Sequence, residues 1–224
     1  MTIPRILLID TSASRCTLGL SGNDLVSRES LEARQSAQKI LPLIQEVCES
    51  AEVALSELDA VAVMAGPGSF TGLRIGVGVA QALCYANKLP AIAVSTLAVL
   101  AESAAQNSAA NAFWVALPAR EGEYYFGSYV RRAGGGVSQL LVEQVATPAE
   151  IIFPEPEASL ALVGASWQDE ALRAVANLAT EAERIECEAN LAALATLAAI
   201  KLDLKEYAQP ADLKPNYVKE QLDY

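Results

Sequence analysis

The chain contains no histidine. That excludes Ser-His-Asp and Cys-His nucleophilic catalysis, HExxH zinc sites and any imidazole-ligated metal. Carboxylates, Lys, Tyr and backbone amides remain as possible chemistry. Cysteine is scarce: Cys16, Cys48, Cys84 and Cys187 are scattered without a CxxC pair. Each reads as a small buried hydrophobe in a reducing compartment, not as half of a disulfide or a metal ligand. Basic residues are few, 16 against 27 acidic ones, for a formal net charge of -11, and the densest basic cluster is Arg131-Arg132. Affinity for nucleic acid rises with the number of phosphates neutralised, so this chain alone is expected to bind nucleic acid poorly. Long apolar runs are also missing: none reaches membrane-spanning length without a charge or a proline. The short run from Ile3 to Ile9 carries Arg5 and meets Asp10 at once, unlike a signal peptide. A soluble, cytoplasmic protein is expected.

What is present is apolar substance: 224 residues, 52% of them hydrophobic, enough for one large domain or two small ones. Ile6-Leu7-Leu8-Ile9 is a continuous apolar run ending at Asp10, which predicts a buried strand. Cys16 to Leu20 and Leu25 to Leu31 flank the turn cluster Ser21-Gly22-Asn23-Asp24 and predict a hairpin. Ser36 can cap a helix with Ile40, Leu43, Ile44 and Val47 at helical spacing. Pro42 inside it means either a start near Leu41 or a kink. Ala60 to Met64 is a second buried strand, followed by a glycine-rich loop, a helix to about Ala86, a short strand from Ala91 to Val94, and a helix capped by Ser95 or Thr96.

The order then begins again. Phe113 to Leu117 is a strand, Glu123 to Val130 and Gln139 to Val145 a hairpin around Gly134-Gly135-Gly136, and Thr147-Pro148 a helix start. Leu160 to Val163 is a strand, Gln168 to Leu178 a helix, Arg184 to Cys187 a strand and Leu191 to Leu204 a long apolar helix. This repeated order predicts two α/β lobes, each a mixed sheet with flanking helices, in the duplicated actin-like ATPase (ASKHA) arrangement. Residues 1–105 would form the N-terminal lobe and 106–224 the C-terminal one, with a last segment that can pack back on the first.

Three features invite a functional reading. Asp10, Thr11 and Ser12 end the first strand, where a carboxylate, hydroxyls and amides can hold a metal-water shell and phosphate; the competing reading is a turn in which they bond their own backbone. Pro118-Ala119-Arg120 takes that place in the second half, without a carboxylate. The loop Gly66-Pro67-Gly68-Ser69-Phe70-Thr71-Gly72 lacks the Gly-Lys-Ser/Thr ending of a Walker A motif and is not GxGxxG. Its glycines Gly66, Gly68 and Gly72, with Pro67, are expected to make a tight structural entry to the helix. That helix is apolar nearly all round. Leu73, Gly76, Val77, Ala80 and Cys84 lie on one face, and Ile75, Val79, Ala82 and Ala86 on the other, with Arg74, Gln81 and Tyr85 as the wet positions. Such a helix is buried on more than one side. One face suits its own sheet and the other a partner, and the first set is expected to face the partner together with the helix of Ile40, Leu43, Ile44 and Val47. The charged aromatic stretch from Arg120 to Tyr125 and the Glu-rich stretch from Glu181 to Glu188 read as solvated.

Together "ILLIDTS" at Ile6 to Ser12, "ILPLIQE" at Ile40 to Glu46, "GPGSFTGLRIG" at Gly66 to Gly76 and "LPAIAVSTL" at Leu89 to Leu97 resemble the TsaB family, also called YeaZ. "AREGEYYF" at Ala119 to Phe126 and "KPNYVKE" at Lys214 to Glu220 are similar to its later landmarks. The resemblance implies an actin-like fold and a role in making threonylcarbamoyladenosine beside the tRNA anticodon. It implies a partnership with the transferase TsaD, joined by the small ATPase TsaE, with tRNA met only through the complex and a homodimer possible for the chain alone. The sister transferase carries a His-x-x-x-His metal site where this chain has Thr96 and Leu100. No catalytic residue, metal or cofactor of its own is therefore expected, beyond a vestigial ATP or ADP site at Asp10, Thr11 and Ser12 inside a complex. Many members also have an acidic residue where this chain has Pro118, and a His where it has Gln35-Ser36.

Overall fold

The computed structural model describes residues 3–30, 35–155, 159–176 and 182–218. The chain divides into two compact units, Met1–Thr96 with Leu191–Asn216, and Leu97–Asn190 with Tyr217–Tyr224.

The first unit is built on β1 (Ile6–Asp10), β2 (Thr17–Ser21), β3 (Val26–Glu29), β4 (Ala60–Gly66) and β5 (Ala91–Ser95), hydrogen-bonded in the order β3-β2-β1-β4-β5. β1 and β2 are antiparallel; β1, β4 and β5 run parallel. Helices α1 (Ser36–Ser50) and α2 (Phe70–Asn87) and the late helix α5 (Leu191–Asp203) pack on this sheet. β1 and β4 therefore meet helices on their faces, which is why they read as unbroken apolar runs and not as alternating strands. Ile6 to Ile9 and Ala60 to Met64 are fully buried. α5 lies close on β2: a Cβ placed at Gly19 would stand 2.8 Å from Leu191 Cδ1.

The second unit repeats the plan. It contains β6 (Ala112–Pro118), β7 (Tyr124–Arg131), β8 (Val137–Ala146), β9 (Leu160–Val163) and β10 (Glu183–Ile185), in the order β10-β9-β6-β7-β8. Its helices are α4 (Glu170–Val175) and most of α3 (Thr96–Ala105). Trp114, Phe126 and Trp167 fill its core, with the Trp167 indole N–H donating to the Trp114 carbonyl at 3.0 Å. A hairpin followed by two parallel strands, in the same order twice, is the duplicated actin-like α/β fold.

Several boundaries differ from the sequence expectation. The division between units falls after Thr96, not near residue 106. α3 belongs with the second unit, where the Ser103 hydroxyl accepts a bond from the Asn190 amide at 3.3 Å. α5 and the residues after it return to the first. Thr147 opens only a turn, its hydroxyl bonded to Glu150 at 2.7 Å. α4 is shorter than the predicted Gln168–Leu178 helix, and Leu178 lies outside the described residues, as do Leu31, Glu181, Lys219 and Glu220. Pro42 sits inside α1, on its exposed side, where water can reach the carbonyl that loses an amide partner.

Beyond α5, residues 204–216 form a strap over the first unit. Ala208 bridges Ala91 of β5, the Gln81 amide of α2 donates to the Leu213 carbonyl at 2.9 Å, and the Asn216 amide donates to the Ala65 carbonyl at 2.7 Å. Leu213 is buried beneath it.

Candidate functional site: a stapled loop and an apolar helix

Asp10 closes β1, and its carboxyl group is occupied from within. Oδ1 accepts the Ser12 amide at 2.8 Å and the Ser12 hydroxyl at 2.7 Å. Burial raises the Asp10 pKa above the ordinary carboxylate value, and the two Ser12 bonds offset only part of that rise. Thr11 is fully buried and its hydroxyl donates to the Gly72 carbonyl at 2.8 Å. The Ser12 carbonyl accepts the Ser69 amide at 2.7 Å. The strand-end turn is thus bonded to itself and to the loop that opens α2. Asp10 Oδ1, the Thr11 hydroxyl and the Ser12 carbonyl are all engaged within the unit.

The glycines permit this contact. A Cβ at Gly68 would lie 2.5 Å from the Ser12 carbonyl oxygen, and one at Gly72 or Gly76 would run into Thr11. Gly66 has φ 121°, and a Cβ there would meet the Asn216 oxygen of the strap at 2.5 Å. The loop is pressed between the end of β1 and the strap, too close for any side chain. Pro67, also buried, joins Gly66 by a cis bond.

α2 begins with Ser69 as its cap, whose hydroxyl accepts the Gly72 amide at 3.3 Å, and ends at Lys88 in the left-handed conformation. Its buried face consists of Gly72, Leu73, Gly76, Val77, Ala80 and Cys84. Leu73, Gly76, Val77, Ala80 and Cys84 are the residues expected to meet a partner, and the structure corrects that expectation. Val77, Ala80 and Cys84 pack with Leu7, Ile9, Val61 and Val63 of the sheet. Ile40, Leu43, Ile44 and Val47 of α1, also expected at the interface, belong to the same core. Glycine and alanine let a helix approach a sheet closely, so the small-residue face went to the sheet. The outward stripe is only in part the second predicted face: Arg74, Gly78, Ala82, Tyr85 and Ala86 are exposed, whereas Ile75 and Val79 are half-buried and packed against the same core. Phe70 is 49% exposed, Tyr85 82%, and Leu41 of α1 60%. Arg74 lies over the Phe70 ring, 3.9 Å from its centroid. A signal for this orientation is present in the sequence: Arg74 and Tyr85, both wet positions, share the stripe with Gly78 and Ala82 at helical spacing.

In the second unit Pro118 ends β6 at the place that Asp10 holds in the first. Gly164, with φ 102°, approaches the Ala116 carbonyl as the first loop approaches Thr11 and Ser12. Tyr124 donates to the Asp169 carboxylate, which raises the phenol pKa and lowers that of the acid. Thr96 and Leu100 are both buried. Among the described residues no group of three or more Cys, Asp or Glu could hold a metal ion, and no helix is long and apolar enough to cross a membrane.

This architecture has relatives. A family profile described as TsaD, tRNA N6-adenosine threonylcarbamoyltransferase, matches residues 30–164. The tRNA threonylcarbamoyladenosine biosynthesis protein TsaB of Escherichia coli (strain K12) is 36% identical over 168 residues, 73% of this chain and 72% of that protein. The chain belongs to the TsaB family. The TsaB protein of Haemophilus influenzae is 33% identical over 170 residues, 72% of each chain. The solved structure of YeaZ from Pseudomonas aeruginosa superposes with a TM-score of 0.83 at 30% identity, covering 96% of this chain and 99% of that one. A second Pseudomonas aeruginosa structure, described as similar to peptidase YeaZ, gives a TM-score of 0.85 over 96% of this chain. This TsaB-family chain has no imidazole with which to build a nucleophile–base pair of the Ser-His or Cys-His kind.

Proposed function

We propose that this chain serves the biosynthesis of threonylcarbamoyladenosine in tRNA as a non-catalytic subunit, supporting a TsaD-type transferase by binding it. The observation that carries the reading is the outward stripe of α2. Gly78, Ala82 and Tyr85, flanked by half-buried Ile75 and Val79, leave an apolar, small-residue helix surface open, and Leu41 of α1 is exposed as well. Two helices from each protein, meeting through such a surface, would make a small bundle in which Gly and Ala permit close approach. A homodimer of the free chain would use the same stripe.

The chemistry that is missing supports the same reading. Asp10 is bonded to Ser12, and no carboxylate stands at Pro118 to complete a metal site. A TsaE-type ATPase would join the pair, and any nucleotide bound at Asp10, Thr11 and Ser12 would be retained only in the assembly. The net charge of -11 places tRNA contact on the partners. A cytoplasmic location follows from this role.

Co-purification with a TsaD-type transferase tests the proposal, together with elemental analysis and phosphate release by the isolated chain. A stoichiometric complex with the transferase, and neither bound zinc or iron nor ATP turnover, is expected. Failure to bind the transferase, or turnover abolished by Asp10→Ala, would overturn it.

A further inference from the structure

A cavity of about 610 Å³ lies where the C-terminal end of α2 meets the strap that follows α5. Cys84, Tyr85, Lys88, Leu89 and Pro90 line it from one side and residues 207–210 from the other, all of them in the first unit. Backbone bonds fix both walls. The Leu89 amide donates to the Cys84 carbonyl at 3.0 Å and closes the helix, while Ala208 and Ala91 exchange bonds at 2.9 and 3.4 Å. Lys88 makes the turn between helix and strand in the left-handed conformation, φ 55°. Two stretches far apart in sequence are thereby held around one space, whose size is that of a small-molecule site, roughly 300–1,000 Å³.

The lining selects the ligand. Leu89, Pro90 and Pro210 supply apolar surface, and Tyr85 and Tyr207 each add an exposed ring that a planar group can stack on. Among the described residues Lys88 is the one charged member of the lining, and it makes no ion pair; the Tyr85 and Tyr207 hydroxyls make no hydrogen bond. A helix C-terminus carries about half a negative charge. The whole charge of Lys88 outweighs it, and the Cys84 carbonyl is already covered by the Lys88 and Leu89 amides. Glu206, next to Tyr207 in sequence, pairs with Lys201 at 3.9 Å and does not line the cavity. The cavity is thus locally positive in a chain of net charge -11. Phosphate calls for open helix-start amides or a guanidinium fork. Here there is a helix end and one ammonium, which suit a single carboxylate.

We propose that this cavity binds a small aromatic carboxylate, with its ring against Tyr85 and Tyr207 and its carboxylate on Lys88. Such a ligand is independent of transferase binding, so the chain alone serves for the test.

The test is an amide-resolved NMR titration of the full chain at constant ionic strength, using naphthoate, the naphthylmethanol of the same ring position, and acetate in turn. Naphthoate should give saturable shifts at the Tyr85, Lys88, Leu89, Tyr207 and Gln209 amides. It should bind about fivefold tighter than the uncharged alcohol or better, the scale of one charge-assisted bond in an open site. Acetate should give no saturable shift there. Lys88→Gln removes the charge at an exposed position and should abolish the preference for naphthoate over the alcohol, with the rest of the spectrum unchanged. Tyr207→Ala, at a position 40% exposed, should weaken naphthoate and the alcohol alike and serves as the second variant. The proposal is overturned if naphthoate leaves those amides unmoved, if the alcohol binds as tightly, if acetate saturates the same shifts, if folded Lys88→Gln keeps the preference, or if folded Tyr207→Ala binds both ligands as the parent does.

Discussion

Adding a carboxylate at Gly78 should stabilise this protein and at the same time abolish docking through the proposed surface. Gly78 lies in the interior of α2 on the outward stripe, and a Cβ built there meets nothing within 4 Å. Glycine in a helix interior is about 1 kcal/mol less favourable than alanine, and glutamate is within a few tenths of alanine, so Gly78→Glu should gain roughly 0.5 kcal/mol. The new carboxylate also falls four residues after Arg74, which adds a few tenths of attraction. The melting temperature should rise by about 1–3 °C for a chain of this size. Docking on a TsaD-type transferase would then have to strip water from an unpartnered charge, at several kcal/mol. With about 1.4 kcal/mol per factor of ten, affinity should fall on the order of 100-fold or more. Val77→Glu is the control from the adjacent position. Val77 is 3% exposed and packed on the sheet. Losing its burial removes roughly 1.5–3 kcal/mol, and a buried charge adds several more. That sum is comparable with the whole stability of a domain, about 5–15 kcal/mol. Circular dichroism, thermal melts and pull-down by the transferase separate the two variants. If Gly78→Glu unfolds the protein, the stripe is not exposed. If it stays folded and binds undiminished, the docking surface lies elsewhere and the reasoning is refuted.

Two further perturbations probe the stapled loop. Asp10→Asn keeps an acceptor for both Ser12 bonds but removes a charge that burial disfavours. The folded-state pKa of Asp10 is raised, so its penalty is absent at low pH and develops as pH climbs from the ordinary value of 3.8 through the folded value. The variant should therefore be more stable than the parent at pH 7, with the advantage fading on acidification; urea melts at several pH values would show it, and an advantage independent of pH would contradict it. Thr11→Val deletes the hydroxyl that donates to the Gly72 carbonyl and should cost about 1 kcal/mol, read as a lower urea midpoint at unchanged slope. Because Thr11 is fully buried, transferase binding by the folded variant should be unchanged.

The repeated order of elements was legible because buried parallel strands write themselves as apolar runs: Ile6 to Ile9, Ala60 to Met64, Phe113 to Leu117 and Leu160 to Val163 all became strands. The close approach of the loop to Thr11 and Ser12 has its sequence correlate in the bare backbone of Gly68 and Gly72. The orientation of α2 was misread. Both of its faces are apolar, and periodicity alone gives two stripes without saying which one the sheet takes. The deciding facts are tertiary: Gly76 must pass Thr11, and the sheet beneath supplies Ile9 and Val63.

The discontinuity of the first unit bears on how the chain is made. Its sheet is encoded by Thr96, yet the helix that covers β1 and β2 and the strap that presses on Gly66 come only after Asn190. Until they leave the ribosome, one surface of the fully apolar strand Ile6 to Ile9 lacks its cover. The core of the second unit, with Trp114, Phe126 and Trp167, lies wholly within Leu97 to Asn190 and is translated earlier. Synthesis runs from the amino end and domains generally fold as units, so here the sheet that is translated first receives its cover only after the core of the second unit has been made. A growing chain must therefore shield an unfinished sheet for the time it takes to translate some 90 residues of its neighbour.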